Sequence, residues 1–308
     1  MYEDPDRLRQ PMLRVDGKDG HDFEAVSWDE AFEYIKGRMD SIEERHGKGR
    51  IALVKHHNEG AQHFHRVLAA LGSHVEGHPS FAQCRGPRDV GFSITYGEGV
   101  GSPERTYMEH SRCIVLIGSH IGENLHNGQV QTFTQALESG AAVITVDPRF
   151  SVAASKSKHW LPIKPGTDVA LLLTWMHVLI EEDLYDHDYV ERYTSGFDKL
   201  REHVRGHTPE WAFLETGLDP DLIRTTAREM AAAAPATVVH PGRHVTWYGD
   251  DTQRSRAIAM LNALLGSWGR KGGFYYPEKV DLPEFPQPDL PKSDHDWMKE
   301  IQPDLPVA

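Results

Sequence analysis

The sequence predicts an α/β protein built on a doubly wound, mainly parallel sheet. Short, continuous apolar runs at 51–54, 113–117, 142–146, 161–163 and 237–240 have the length of buried strands. Between most of them stand segments with apolar residues at helical spacing, bounded by capping residues and glycines. Strands without polar alternation, alternating with helices, point to a sheet covered on both faces. In such a sheet ligands bind beyond the carboxyl ends of the strands.

The elements follow in order. The polar segment 1–23, with Pro5, Pro11, Gly17 and Gly20, reads as an extended arm or short hairpin. Ser27-Trp28-Asp29-Glu30 is a capping box, and Ala31, Phe32, Ile35, Met39 and Ile42 recur behind it at helical spacing. That helix is expected over 28–45, stopping near Gly47. After the strand at 51–54 comes a helix over 61–71, closed by Gly72. The strand at 113–117 leads through the loop 118–124 into a helix over 125–137, stopped by Gly140. The strand at 142–146 ends at Asp147-Pro148-Arg149. A short strand at 161–163 precedes Pro165-Gly166-Thr167-Asp168, where Thr167 or Asp168 can cap the apolar helix 169–182. Helix 222–233, strand 237–240 and the loop Pro241-Gly242-Arg243-His244 come next. A helix over 254–265 ends at the glycines of 266–273. The prolines and acidic residues of 277–308 make that tail extended. The expected organisation is an arm, capped helix and part of a first α/β domain over 1–79, a ligand-binding α/β domain over 80–276, and the tail.

Composition narrows the function. The net charge of −13 is a poor match for a phosphate backbone, so nucleic acid is not an expected partner. The longest nearly apolar run, 171–180, falls short of the ~20 residues of a membrane span. No secretory, twin-arginine or transit leader is read at the start of the chain, and the compartment is left open. With Cys84 and Cys113 alone, no disulfide scaffold, four-cysteine zinc site or iron–sulfur cluster held by four cysteines of this chain is expected. Neither H-E-x-x-H nor G-x-S-x-G is present. Gly97-Glu98-Gly99-Val100-Gly101 lacks the G-x-G-x-x-G spacing, which argues against a nicotinamide enzyme. Most of the 19 histidines, among them His56, His57, His63, His65, His74 and His78, read as surface or loop residues.

The candidate chemistry sits at strand ends. Gly118-Ser119-His120 and Gly242-Arg243-His244 each place a glycine where backbone turns sharply or approaches a ligand, and free N–H groups there suit phosphate. Asp147 can accept hydrogen bonds from a ribose or a guanine, and Arg149 can sit on a phosphate or stack on a base. The alternative is that these are ordinary loop glycines and a plain Asp-Pro turn. Cys84 stands in His78-Pro79-Ser80-Phe81-Ala82-Gln83-Cys84-Arg85-Gly86-Pro87-Arg88, where neighbouring arginines favour the thiolate, a nucleophile or soft metal ligand. Cys113 opens an apolar strand and reads as core packing.

These stretches, in this order, resemble the catalytic subunits of the molybdopterin oxidoreductases, the dimethyl-sulfoxide-reductase superfamily. The likeness rests on Arg14-Val15 and Ser27-Trp28-Asp29-Glu30-Ala31, Cys84-Arg85-Gly86-Pro87, Val115-Leu116-Ile117-Gly118, Val146-Asp147-Pro148-Arg149 and Trp160-Leu161-Pro162-Ile163-Lys164-Pro165-Gly166-Thr167-Asp168. Asp183-Leu184-Tyr185-Asp186, Thr208-Pro209-Glu210, Pro241-Gly242-Arg243 and Leu264-Leu265-Gly266-Ser267-Trp268-Gly269 extend it to Tyr276. The resemblance implies a molybdenum bis(molybdopterin guanine dinucleotide) cofactor on a Rossmann-like dinucleotide-binding domain. It implies Cys84 as the molybdenum ligand, with Arg85 beside it. Gly118, Ser119, His120, Glu123 and Asn124 match the first dinucleotide loop. Val146, Asp147, Pro148 and Arg149 match the guanosine-recognising strand end. Gly166 and Asp168 match the next loop, and Gly242, Arg243 and His244 the loop near the second pterin.

Full-length relatives carry an N-terminal iron–sulfur domain and a C-terminal barrel domain, and this chain matches neither. Other subunits or those domains are therefore expected partners: an iron–sulfur electron-transfer protein and a membrane anchor. Formate dehydrogenases commonly have His where Arg85 stands. An arginine beside the metal suits an oxyanion, so sulfur or arsenic oxyanions are the expected substrates. A formate dehydrogenase-like enzyme and a truncated, non-catalytic nucleotide- or partner-binding module are the alternatives.

Overall fold

The computed structural model describes residues 3–17, 19–55, 61–73, 75–77, 86–97, 106–119, 121, 127–242 and 251–274. They fall into two compact units, one up to Gly77 and one from Gly86 onward. The extended tail expected over 277–308 lies outside the described residues.

The first unit begins with a hairpin. Strands β1 (Met12–Arg14) and β2 (Phe23–Ala25) pair antiparallel, with Met12 opposite Ala25. Helix α1 (Trp28–His46) carries the predicted capping box in full: Glu30 N–H donates to Ser27 Oγ, and Ser27 N–H donates back to the Glu30 carboxylate. Its apolar stripe is only partly covered. Ala31 is buried, while Phe32 and Ile35 are exposed, and Trp28 packs against Phe32 at 5.8 Å between ring centroids. Then β3 (Leu53–Val54), helix α2 (Ala61–Ala70) and β4 (Glu76–Gly77) form a parallel strand–helix–strand unit. The strand expected at 51–54 thus pairs with β4 in a small sheet of its own and does not join the main sheet.

The main sheet is the core of the second unit. It holds β5 (Cys113–Ile117), β6 (Ala142–Val146), β7 (His159–Leu161) and β8 (Thr237–His240), in the order β7-β6-β5-β8, all parallel. Because side chains alternate along a strand, each strand serves two faces. Cys113, Val115, Ile117, Ile144 and Val146 point into one core with the helices α6 (Asp168–Glu181), α10 (Pro220–Ala233) and α11 (Asp251–Leu264). Ile114, Leu116 and Val143 point into the other, against α4 (Asn127–Glu138) and the short α5 (Val152–Ser155). This double burial is why the strands read as unbroken apolar runs.

Helix α6 is the apolar segment expected over 169–182, buried nearly all round and tied to α10 by Trp175 Nε1 donating to Thr226 Oγ1 at 3.0 Å. Thr167 stands at its N-cap position but makes no capping bond; its hydroxyl donates to the Lys164 carbonyl instead. Besides the four-residue α5, four helices show no readable hydrophobic period in the sequence: α3 (Gly86–Tyr96), α7 (His187–Tyr193), α8 (Phe197–Val204) and α9 (Pro209–Thr216). Three of them are too short for a hydrophobic period to show, although Asp186 and Thr208 cap α7 and α9 as sequence rules require.

Strand β8 ends the order on one side, and its outward edge is covered. Asn262 of α11 accepts from Val239 N–H at 3.1 Å and donates to the Val239 carbonyl at 3.0 Å, standing in for a neighbouring strand. Both groups are buried. Asn262→Leu leaves them unpartnered, and a loss of about 2–5 kcal/mol is expected from two unsatisfied backbone groups. Urea unfolding of the two proteins checks it.

Candidate functional site

The parallel order reverses between β5 and β8: from β5 the chain adds β6 and β7 on one side and β8 on the other. A crevice at such a switch point is where open parallel sheets bind ligands. The loops leaving these two strands begin with Gly118 (φ 56°) and Gly242 (φ 70°), both left-handed, a conformation that costs other residues energy. Gly118 N–H is held by the Val146 carbonyl at 3.0 Å, so the loop after β5 starts against the end of β6. Gly242 N–H is held by Nδ1 of His240 at 3.1 Å. Ser119 is buried, and its Oγ has no hydrogen-bond partner among the described residues.

Arg254 joins these loops. It sits in the first turn of α11 and is buried. Its Nη2 donates to the Ile117 carbonyl at 3.1 Å, and its Nη1 to the Pro241 carbonyl at 3.4 Å. Its Nε lies 3.7 Å from Oδ2 of Asp168, the first residue of α6. Burial pulls its pKa down from the usual guanidinium value, while the carboxylates of Asp168 and Asp251 oppose that. In the sequence Arg254 is one polar position of a helical pattern, and nothing local marks it as functional.

A second buried arginine reaches the same loop. Arg88, in the first turn of α3, donates to the Gly242 carbonyl at 2.8 Å. Its Nε also lies 3.9 Å from Oδ1 of Asp89, while Cys84 is outside the described residues. Helices α3 and α11 pack closely because Gly91 has no side chain: a Cβ there would lie 2.6 Å from Ser255 Cβ and 2.9 Å from the Thr252 carbonyl. The chain enters α3 two residues after Cys84, so Arg88 ties the Cys84 end of α3 to the β8 loop.

At the end of β6, Asp147 folds back on its own turn. Its Oδ1 accepts from Arg149 N–H at 2.8 Å, and its carbonyl accepts from Trp160 Nε1 at 2.8 Å. Among the described residues nothing donates to its Oδ2. Arg149 is exposed and Pro148 is on the surface, while the side chain of Val146 is in the core, so only the main chain of Val146 faces the loops. Gly166 is exposed just ahead of Asp168. The structure therefore brings Gly118, Ser119, Gly242 and Asp168 to one junction, with Asp147 and Arg149 at the neighbouring strand end. Cys84, Arg85, His120, Glu123, Asn124, Arg243 and His244 lie outside the described residues. Backbone turns opened by glycine, a buried hydroxyl, carboxylate oxygens and an exposed guanidinium suit an anionic ligand whose other end offers hydrogen-bond donors, the chemistry of a nucleotide.

The fold and its loops define an α/β protein with a candidate ligand site at the switch point of a parallel sheet. The chain matches the molybdopterin oxidoreductase family over residues 7–277 and belongs to it. It is 33% identical over 282 residues to the thiosulfate reductase molybdopterin-containing subunit of Salmonella typhimurium, a match covering 92% of this chain and 36% of that protein. It is 27% identical over 319 residues to the arsenate respiratory reductase molybdopterin-containing subunit of Shewanella sp., covering 92% and 36%. Among solved structures, acetylene hydratase from Pelobacter acetylenicus matches with a TM-score of 0.70 and 27% identity, over 86% of this chain and 36% of that one. The chain thus spans a little over a third of the length of the curated relatives it matches, 36% of the thiosulfate reductase subunit. These relatives are molybdopterin-dependent enzymes.

Cys113 takes no part in this site. It is buried at the start of β5, and burial pushes its thiol up to about 12. Iodoacetamide at neutral pH is expected to leave Cys113 unlabelled in the folded chain and to label it fully after denaturation. Peptide mass spectrometry reads both states.

Proposed function

We propose that the chain forms the central cofactor-binding portion of a molybdenum oxidoreductase carrying bis(molybdopterin guanine dinucleotide). Its support is the junction of glycine-opened loops at the β5/β8 switch point, in a chain that belongs to the molybdopterin oxidoreductase family. The strand order, 3-2-1-4 when β5 to β8 are counted from one, is that of a Rossmann-like dinucleotide-binding half and favours the same reading. The residues present fit such a group: among the described residues the buried Ser119 Oγ has no hydrogen-bond partner, and the Asp147 carboxylate stands at the neighbouring strand end with only Oδ1 engaged, by Arg149 N–H.

In this reading the loop of Gly118, Ser119, His120, Glu123 and Asn124 holds one dinucleotide. Val146, Asp147, Pro148 and Arg149 form the strand end that recognises its guanosine, Asp147 through its carboxylate and Arg149 by stacking or phosphate contact. Gly166 and Asp168 border the same site. Gly242, Arg243 and His244 serve the second pterin. Cys84 is the protein's ligand to molybdenum, and Arg85 steers an anionic substrate toward it. When bound, the metal and its dithiolenes supply the two-electron or oxygen-atom transfer, while the protein binds, orients and excludes water.

A sulfur or arsenic oxyanion is the proposed substrate. Arg85 favours an anion, and the relatives include a thiosulfate reductase and an arsenate respiratory reductase subunit. Those relatives are named as molybdopterin-containing subunits, which supports partner subunits here, with an iron–sulfur electron-transfer protein and a membrane anchor as the proposed kinds. The exposed Phe32 and Ile35 on α1 offer an apolar surface for such a contact.

The test is metal and nucleotide analysis of the purified chain, produced in a host that makes the cofactor, beside Cys84→Ala. Molybdenum and acid-released guanosine monophosphate are expected in the wild type. The variant is expected to keep the nucleotide and lose turnover on thiosulfate or arsenate. A wild type without either molybdenum or guanosine monophosphate, even with partner subunits co-expressed, sinks the reading.

A further inference from the structure

Arg254 lies on α11, outside every loop assigned above, and its guanidinium is buried. Each of its nitrogens meets a different segment. Nη2 holds the carbonyl of Ile117 at the end of β5, and Nη1 holds the carbonyl of Pro241 just beyond β8. Nε makes no hydrogen bond among the described residues and lies 3.7 Å from Oδ2 of Asp168 at the start of α6, an ion-pair contact. Ile117 and Pro241 are 124 residues apart in sequence (241 − 117), so nothing local sets their spacing.

A planar guanidinium can serve divergent acceptors at once from one rigid fork; an ammonium is a single point, and an apolar side chain offers no donor. A fully buried charge is also retained only where partners compensate its lost hydration. Here the compensation includes the ion pair with Asp168, whose side chain remains 21% exposed while the arginine's is buried.

We infer that Arg254 is a positioning residue for the ligand site: it fixes the gap between the carboxyl ends of β5 and β8 and orients the Asp168 carboxylate beside that gap. The inference rests on the nucleotide-binding reading above. It differs from a role in stability alone. If Arg254 acts through Asp168, removing either side chain weakens the nucleotide, and removing both weakens it no further than the more damaging single change.

The probe is guanosine diphosphate, titrated calorimetrically into the full chain, with adenosine diphosphate as the comparison. Circular dichroism and thermal melts establish folding of each variant. R254M and D168N are each expected to weaken guanosine diphosphate about tenfold and to narrow its preference over adenosine diphosphate. R254K, which keeps the charge but not the fork, is expected to fall between R254M and wild type. The double variant R254M/D168N is expected to match the more damaging single variant. A purely structural arginine would lower the melting temperature and leave the guanine-to-adenine preference unchanged. A wild type that does not bind guanosine diphosphate overturns the nucleotide reading and this inference with it. Wild-type binding that persists at full strength in folded R254M, or losses that simply add in the double variant, overturn the inference alone. Should R254M not fold, R254K and D168N decide in its place, and wild-type affinity in both overturns it.

Discussion

A full positive charge held out of water is the constraint around which the second unit is arranged. Arg254 is buried beneath the ends of two parallel strands, and a buried charge stripped of partners costs ~3–5 kcal/mol. Its partners are therefore not optional. The Ile117 and Pro241 carbonyls and the Asp168 carboxylate must converge on it, and they belong to three segments that are distant in sequence. That convergence is the switch point of the sheet. The geometry that satisfies the arginine also fixes the spacing between the carboxyl ends of β5 and β8.

Much of the scaffold around it was legible in the sequence, for a definite physical reason. Strands β5, β6 and β8 are buried on both faces, so they appear as unbroken apolar runs. The capping box at Ser27 and Glu30 is a local hydrogen-bond arrangement, and local arrangements survive in sequence. Sheet membership does not. The run at 51–54 looks like the other strands, yet it pairs with the two residues of β4, because pairing depends on contacts distant along the chain. Helices α7 and α9 were missed since seven or eight residues make barely two turns, too few for a period to emerge.

The site divides along the same line. Gly118, Gly242 and Asp147 could be picked out because a turn at a strand end needs glycine and a carboxylate there is conspicuous. Arg88 and Arg254 could not. An arginine within a helical pattern reads as a solvent-facing residue, and only the packing of α3 on α11 shows that both are enclosed. The sequence signal beside them is a small residue at the helix contact, Gly91. Gly91 lets the two helices approach until a Cβ would meet Ser255, and both arginines stand buried in the first turns of these packed helices.

That packing has a consequence for how chemistry and binding are joined. Pro241 and Gly242 are consecutive, and their carbonyls are held by arginines from different helices, Arg254 from α11 and Arg88 from α3. A shift of the β8 loop must therefore drag both helices or break a buried hydrogen bond at each, and buried donors left unpaired are costly. Helix α3 begins two residues after Cys84, and its first turn is tied through Arg88 to Gly242, the start of the loop proposed for the second pterin. Rigid coupling of this kind suits a site in which a cofactor is held at both ends, because a thiolate offered to a metal is useful only at a fixed distance from the loops that hold the rest of the group.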